Sequence, residues 1–206
     1  MPERDLTPYV IPQLAKPDDG PHPRYDFARI FGNDHPVELE IGIGKGRFII
    51  NQAMTRPDTN FIGIEWANRY YLLAARRAAG RSLHNLRLLR DDAAHTVRES
   101  LPDRCLNALH IYFPDPWPKT KHHKRRLVQP WFAREASRVL KPGARVFLAT
   151  DHEDYAQQME QVFKDDPDFA LISRMIGEDA PEGITNWEVK FRAEGRTMFK
   201  FEFARK

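Results

Sequence analysis

The alternation of strand-like and helix-like segments is the feature of this sequence that most constrains its fold. From Val37 onward, short runs rich in branched and aromatic residues alternate with longer segments of helical pattern. Such alternation is typical of βαβ units, in which helices join parallel strands and cover both faces of the sheet. The strands that this pattern predicts lie at 37–41, 60–64, 86–89, 108–113 and 145–149.

Two further strands are predicted near the C-terminus, at 169–176 and 197–204. Such a late pair is expected to extend one edge of the sheet, with the last strand antiparallel. The predicted helices lie between the glycines near 46 and residue 54, and at 66–79, 93–100, 127–140 and 153–164. The sequence therefore predicts an α/β protein with a mostly parallel seven-stranded sheet and helices on both faces.

Composition indicates the domain organisation and the compartment. The chain has 206 residues, 41% of them hydrophobic and 30% charged, as expected for a globular protein with one large core. Residues 1–35 are rich in proline and charge and are predicted to be an extended or partly ordered arm, followed by a single domain at 36–206. A lone cysteine, Cys105, and the lack of a long apolar run predict a cytoplasmic protein without a membrane partner.

A glycine-rich loop follows the first predicted strand and opens a helix. Its sequence, Glu40-Ile-Gly-Ile-Gly-Lys-Gly46, has the spacing G-x-G-x-G, and Arg47 stands where a dinucleotide motif would have its third glycine. Glycine lets the backbone turn tightly and approach a ligand closely, so Gly42, Gly44 and Gly46 are candidate binding residues. A tight structural turn without a ligand is the alternative.

Carboxylates stand at or just after the ends of successive predicted strands: Glu40, Glu65, Asp92, Asp115 and Asp151. Because the carboxyl ends of parallel strands meet at one edge, we expect these side chains to form a rim. A negative rim would repel the pyrophosphate of NAD and attract the sulfonium cation of S-adenosylmethionine. Glu65 also lies about twenty residues beyond the glycines, where an acid accepts both ribose hydroxyls. Helix N-capping is the alternative for Asp92 and Asp151.

The segment after the fourth predicted strand brings together an acid, an aromatic ring and cations. Phe113-Pro-Asp-Pro-Trp-Pro118 places Asp115 and Trp117 in a turn stiffened by proline. The turn resembles the Asp-Pro-Pro-aromatic turn of amino-group methyltransferases, which suggests a catalytic role for Asp115. A rigid loop without a catalytic role is the alternative.

A dense basic run follows this turn directly. Its members are Lys119, Lys121, His122, His123, Lys124, Arg125 and Arg126. Most charge runs are solvated surface, but a position beside a candidate catalytic edge favours contacts with the phosphates of a nucleic acid. His122 and His123 lack the spacing and the cysteine partners of a metal pair, so no metal site is predicted.

These motifs, in this order, resemble those of bacterial tRNA (guanine-N7)-methyltransferases. The resemblance covers roughly residues 35–203 and is most specific at Phe-Pro-Asp-Pro-Trp-Pro-Lys119 with Lys-Arg-Arg-Leu127. The other matching motifs are Glu-Ile-Gly-Ile-Gly-Lys-Gly46, Gly-Ile-Glu65, Thr-Asp151 and Thr-Asn-Trp-Glu188. Thr120 departs from the family, which has a basic residue there.

The resemblance implies a class I Rossmann-like methyltransferase that modifies a guanine in the variable loop of tRNA, as a monomer or a homodimer. It implies that Glu40, Glu65 and Asp92 bind S-adenosylmethionine and that Asp115 serves both cofactor and catalysis. It also implies two groups of contacts with the tRNA. Substrate contacts fall on Lys119, Asp151, Thr185, Asn186, Trp187 and Glu188, and RNA contacts on 121–126.

Two other functions remain open at the level of sequence. One is methylation of an exocyclic amine, whose delocalised lone pair a carboxylate must help to localise. Guanine N7 instead has an in-plane lone pair, so its methylation mainly requires alignment of donor and acceptor. The other is an RNA-binding module on a Rossmann domain that has lost its activity.

Overall fold

The computed structural model describes residues 5–177 and 185–206 of the chain. The chain folds as two compact units, Met1–Leu106 and Asn107–Lys206, which we call the first and the second unit. Within the described ranges, no helix is long and apolar enough to cross a membrane. The predicted boundary between residues 35 and 36 does not coincide with the division into units, and a single domain at 36–206 stays a prediction.

The first unit contains four parallel strands in the order β1-β4-β3-β2. The strands are β1 (Val10–Ile11), β2 (Val37–Ile41), β3 (Asn60–Ile64) and β4 (Leu86–Leu89). The helices are α1 (Phe27–Phe31), α2 (Arg47–Thr55), α3 (Asn68–Ala79) and α4 (Ala93–His95), which a π-helical turn at Thr96–Ser100 extends. A 3-10 turn at Thr7–Tyr9 precedes β1.

The central strands of this unit form where the sequence predicts them. Every residue of β2 and β3 is buried, as expected for parallel strands covered on both faces. The helix α3 presents a stripe of buried alanines at helical spacing, Ala74, Ala75, Ala78 and Ala79. These small side chains let neighbouring backbone approach closely, since a Cβ at Gly46 would lie 3.0 Å from that of Ala74.

The described part of the N-terminal arm packs onto the first unit. Its strand β1 pairs with β4, and Tyr9, Ile11, Tyr25 and Phe27 are buried. The Tyr25 hydroxyl donates to the carbonyl of Pro12 at 2.9 Å, and its amide donates to the carbonyl of Ser100 at the same distance. The strand β1 brings the number of strands among the described residues to eight, one more than the sequence predicts.

The second unit contains strands in the order β5-β6-β8-β7. The strands are β5 (Leu106–Tyr112), β6 (Leu140–Thr150), β7 (Phe169–Ile176) and β8 (Phe199–Arg205). The predicted antiparallel direction of the last strand is confirmed, because β8 runs antiparallel to both β6 and β7. The helices are α5 (Pro130–Val139), α6 (Glu153–Asp165) and α7 (Asn186–Ala193), and a 3-10 helix spans Thr120–Arg125.

Two local predictions in this unit are corrected. The helix predicted at 127–140 begins at Pro130, whose fixed φ and missing N–H suit the first helical turn, after an extended Gln129. The strand predicted at 145–149 begins earlier, at Leu140. The helix α7, which precedes β8, is not among the helices that the sequence predicts.

A substitution at Gly63 tests how tightly the first unit is packed. A Cβ at this position would lie 2.8 Å from methyl carbons of both Ile43 and Leu88. We expect Gly63→Ala to lower the free energy of unfolding by roughly 1–3 kcal/mol in urea denaturation, because overpacking forces the neighbours to shift. In a Leu88→Ala background the same change should cost less, and an equal cost in both backgrounds would contradict this account.

Candidate active site

The glycine loop is built from left-handed backbone that Glu65 braces. Gly42, Gly44 and Gly46 have φ values of 76°, 52° and 75°, a region that favours glycine. One carboxylate oxygen of Glu65 accepts from the amide of Gly44 at 2.8 Å, and the other accepts from the amide of Ala67 at 2.8 Å. The predicted ribose-binding acid therefore also fixes the loop before α2.

Glu40 lies at the end of β2 with its side chain buried at the start of α2. The carboxyl accepts a hydrogen bond from the amide of Ile49, while its Oε2 has no hydrogen-bond partner among the described residues. Burial, with a smaller effect from the charge of Glu65, raises the pKa of Glu40 to about 8. Glu40 is therefore mostly protonated at neutral pH, so it adds little to the negative charge that the sequence assigns to the rim.

Asp92 caps the helix α4. Its carboxylate accepts from the amide of His95 at 2.9 Å, which is the N-cap geometry that the sequence left open for this residue. Its neighbour Asp91, which sequence reasoning missed, is buried and holds the segment. Asp91 accepts from the amide of Asp92 at 2.8 Å and from the hydroxyl of Thr96 at 2.9 Å.

Glu40, Glu65 and Asp92 lie along one edge of the first unit's sheet. Each stands at or after the carboxyl end of β2, β3 or β4, and these neighbouring strands are parallel. The arrangement within this unit is therefore the one that the sequence predicts for these three residues. A rim that also includes Asp115 and Asp151 stays a prediction.

In the second unit, the turn after β5 has a strained backbone. Phe113 and Trp117 have φ values of 53° and 42°, which are uncommon for residues other than glycine. The amide of Phe113 donates to the carbonyl of Ala149 at 2.8 Å, so the turn leaves the sheet beside the end of β6. Asp115 is exposed between the two strained residues. Strain of this kind is typical of functional sites.

Arg126 holds this turn from inside the second unit. Its guanidinium, on a side chain only 1% exposed, donates to the carbonyl of Pro116 at 2.8 Å and to Oε1 of Gln158 at 2.7 Å. It also pairs with the carboxylate of Asp154 and lies 4.8 Å from the centre of the Tyr155 ring. The sequence assigns Arg126 to the RNA, but its burial and its partners argue for a role in fixing the turn.

The other members of the basic run face solvent more openly. Lys119, Lys121, Lys124 and Arg125 are exposed on or beside the 3-10 helix, and we call these four residues the basic surface. Arg125 lies over the ring of Trp117 at 5.0 Å, and His122 meets the same ring edge-on at 5.9 Å. The turn that carries Asp115 is thus continuous with the basic surface.

The Thr185–Glu188 segment begins α7. The Thr185 hydroxyl accepts from the amide of Glu188 at 3.0 Å, the geometry of a helix N-cap. Glu188 is 1% exposed, and its carboxylate accepts from Lys200 at 2.6 Å and from Arg192 at 3.2 Å. Trp187 is 42% exposed and stacks on Phe191. Substrate contacts at Thr185, Asn186, Trp187 and Glu188 stay predictions, of which Trp187 is the most accessible.

Asp151 and Lys119 complete the predicted substrate contacts. Asp151 follows β6, and its Oδ2 accepts from Nη1 of Arg196 at 2.7 Å. Lys119 is exposed and precedes the 3-10 helix. Within the described ranges, no group of three or more His, Cys, Asp or Glu side chains could hold a metal ion.

Comparison with solved structures shows which fold the chain has. The crystal structure of the 16S rRNA methyltransferase KamB matches 87% of this chain and 92% of its own, with a TM-score of 0.65 and 18% identity. That of TrmN from Thermus thermophilus matches 87% of this chain and 47% of its own, with a TM-score of 0.62 and 22% identity. The chain therefore has the Rossmann-like α/β fold of class I methyltransferases.

Sequence comparison then identifies the family. The family model described as "Putative methyltransferase" matches residues 34–201. A tRNA (guanine-N(7)-)-methyltransferase from Haemophilus influenzae is 39% identical over 171 residues, which are 83% of this chain and 69% of that protein. One from Idiomarina loihiensis is 37% identical over 84% of this chain and 70% of its own length. The chain belongs to the tRNA (guanine-N(7)-)-methyltransferase family.

The buried carboxyl of Glu40 predicts a pH dependence of stability. Its pKa is about 8 in the folded protein against 4.5 for the free side chain, so the folded state binds a proton more tightly than the unfolded chain. Stability from this group is complete below pH 4.5 and is lost as the pH rises towards 8, at up to about 1.4 kcal/mol per pH unit.

The measurement is the free energy of unfolding in urea between pH 5 and pH 8. We expect wild type to lose stability relative to Glu40→Gln across this range, because glutamine has no proton to bind. Glu99→Gln, which changes an exposed carboxylate, should run parallel to wild type. Parallel curves for wild type and Glu40→Gln would show that Glu40 is ionised in the folded protein.

Proposed function

We propose that this chain transfers a methyl group from S-adenosylmethionine to N7 of a guanine in the variable loop of tRNA. Its family membership and the exposed Asp115 in a strained turn beside the basic surface carry the proposal. A tRNA substrate also fits the predicted cytoplasmic location. The expectation that the chain acts as a monomer or a homodimer stays a prediction.

The first unit supplies the residues proposed to bind the methyl donor. Gly42, Gly44 and Gly46 allow a close approach of the backbone, and Glu65 and Asp92 offer carboxylate acceptors on the same edge. Oε2 of Glu40 is buried without a protein partner among the described residues, and because the carboxyl is mostly protonated, its O–H can donate to a hydroxyl oxygen of the methyl donor there. These carboxyl groups of the protein suit a ligand rich in amine and ribose hydroxyl groups.

The second unit supplies the residues proposed to act on the base. When bound, S-adenosylmethionine supplies a methyl group on a positively charged sulfur. Transfer of this methyl group to the in-plane lone pair of guanine N7 would form an N–CH3 bond as the S–CH3 bond breaks, and would leave the positive charge on the purine. Asp115 orients the base and offsets this charge. Alignment of the reactants can lower the barrier by roughly 7–11 kcal/mol.

The basic surface is proposed to bind the tRNA backbone. Lysine and arginine side chains exposed beside the catalytic turn fix the position of the RNA through its phosphates. His122 and His123 are only partly exposed and flank these cations. Lys119 stands closest in sequence to Asp115 and is proposed to contact the substrate nucleotide.

The proposal is tested by incubating unmodified tRNA with labelled S-adenosylmethionine and the purified protein. We expect 7-methylguanosine, which reduction with borohydride and cleavage with aniline map to one position. Asp115→Ala should lower kcat by roughly 100-fold or more and leave tRNA affinity within about twofold, because the side chain acts on the base and not on the phosphates.

The conservative Asp115→Asn variant controls for the shape of the turn. It should retain the affinity for tRNA and remain well below wild type in kcat, since the amide cannot offset the charge on the purine. Methylation of an exocyclic amine in place of N7 would contradict the proposed reaction. Parallel loss of binding and turnover in Asp115→Ala would indicate a structural role.

The basic surface and Arg126 are proposed to have separable roles, the first in RNA binding and the second in turnover. Lys121→Gln and Lys124→Gln should each reduce the slope of log affinity against log salt by about 0.7–0.9 for every phosphate that the lysine neutralises in wild type. Arg126→Lys should leave this slope unchanged, because the buried side chain is held by protein partners. It should lower kcat instead, because the turn that carries Asp115 loses an anchor. A reduced slope in Arg126→Lys would place that side chain on the RNA.

A further inference from the structure

One contact of the second unit has the chemistry of base recognition. The guanidinium of Arg196 donates to Asp151 at 2.7 Å and lies 4.3 Å from the centre of the Phe191 ring. The side chain of Arg196 is 47% exposed and that of Asp151 is 14% exposed, so the arginine lies on the solvent side of the pair. A second carboxylate, that of Glu194, contacts the same guanidinium at 2.8 Å.

The end of α7 places Arg196 in this position. Gly195 has a φ of 70°, and the amide of Arg196 donates to the carbonyl of Phe191 at 2.9 Å, which closes a Schellman motif. The chain reverses there, and the guanidinium lies over the ring of Phe191. That ring meets Phe113 edge-on at 5.5 Å. The contact between Arg196 and Asp151 therefore lies beside the turn that carries Asp115.

A guanidinium and the Watson–Crick edge of guanine present the same donors. In guanine, N1–H and the 2-amino group flank one carbon, as two N–H groups do in arginine, and both groups are planar. Adenine, cytosine and uracil do not place two donors side by side on this edge. A carboxylate that accepts from both groups thus selects guanine, and an aromatic ring below it stacks on the base.

Glu188, the other acid among the predicted substrate contacts, already has partners within the protein. Glu188 is 1% exposed, and Lys200 and Arg192 hold its carboxylate. Asp151 is the better placed of the two, because the guanidinium that it binds is 47% exposed and an ion pair open to solvent contributes only about 0.2–1 kcal/mol. Such a contact can be exchanged for a ligand at small cost.

We propose that Asp151 selects the target guanine by accepting from its N1–H and 2-amino groups, and that Arg196 occupies this carboxylate and the Phe191 ring until the base displaces it. This inference rests on the proposed function and names the residue that reads the base. Methylation makes the purine positive and its N1–H a stronger donor. The hydrogen bond to Asp151 therefore strengthens in the transition state, so Asp151 contributes to kcat as well as to binding.

The first test needs no variant. A tRNA transcript is prepared with either guanosine or inosine at the methylated position, and transfer of labelled methyl is measured for each. Inosine keeps N7 and N1–H and lacks only the 2-amino group. We expect wild type to use inosine with kcat/KM lower by roughly 10- to 100-fold, as for the loss of one hydrogen bond to a charged acceptor. Equal use of both bases would overturn the assignment of Asp151.

The second test separates recognition from folding. Asp151→Ala should use guanosine and inosine within about twofold of each other, because the acceptor for the 2-amino group is gone. Its affinity for S-adenosylhomocysteine, measured by calorimetry, shows whether the variant is folded. A variant that still discriminates strongly against inosine would overturn the assignment.

The third test concerns Arg196. Arg196→Gln should lower KM for tRNA by about two- to fivefold, because the exposed ion pair no longer competes with the base. Lys190→Gln removes one positive charge from α7, where Nζ lies 5.8 Å from the centre of the Phe191 ring, without freeing Asp151, since Lys190 pairs with Glu194 at 3.7 Å. It should leave KM unchanged or raise it. In an Asp151→Ala background, Arg196→Gln should give no decrease.

The outcomes separate this inference from the proposed function. A KM for tRNA that rises in Arg196→Gln at least as much as in Lys190→Gln would show that Arg196 binds RNA. It would overturn the proposal that Arg196 occupies Asp151 until the base displaces it. Methyl transfer to guanosine without discrimination against inosine contradicts the inference alone. Failure of wild type to methylate any tRNA guanosine contradicts both.

Discussion

The buried guanidinium of Arg126 is the interaction on which the candidate catalytic turn depends. A cation so deep in the protein is stable only when its donors are satisfied, and here a carbonyl, an amide oxygen and a carboxylate accept from it. The carbonyl belongs to Pro116, which lies between the exposed Asp115 and the strained Trp117. The same guanidinium thus ties the turn to α6 and offsets the cost of its unusual backbone.

Negative charge alone does not make the first unit suitable for a methyl donor that carries a sulfonium group. The sequence argument counts Glu40 as a negative charge, yet burial keeps it mostly protonated at neutral pH. Glu65 already accepts from two backbone amides, and Asp92 accepts from one. The edge therefore offers a few oriented acceptors around a left-handed loop, which suits the amine and hydroxyl groups of the donor better than a diffuse negative field would.

The sequence predicts the strands well and the roles of single residues less well, for physical reasons. Short strand-like runs such as 37–41 and 60–64, which stand between loop and helical segments, form fully buried parallel strands with the bounds that the sequence predicts. The helix α7 is not among the predicted helices, although Thr185-x-x-Glu188 has the spacing of a capping box, because the resemblance assigns the same motif to substrate contacts. The burial of Arg126 could not be foreseen, since a run of cations gives no sign of which member turns inward.

Arg126 and Arg196 show how one type of ion pair serves two purposes. Both guanidiniums contact a carboxylate and an aromatic ring, yet one side chain is 1% exposed and the other 47%. A buried pair is costly to break because the remaining charge is left without water, whereas an exposed pair exchanges its partner for water or a ligand at little cost. The depth of each arginine therefore fits the role proposed for it: Arg126 is a fixed support of the turn, and Arg196 is proposed to leave its carboxylate. In this proposal the turn that Arg126 supports stays rigid while the carboxylate of Asp151 exchanges Arg196 for the base.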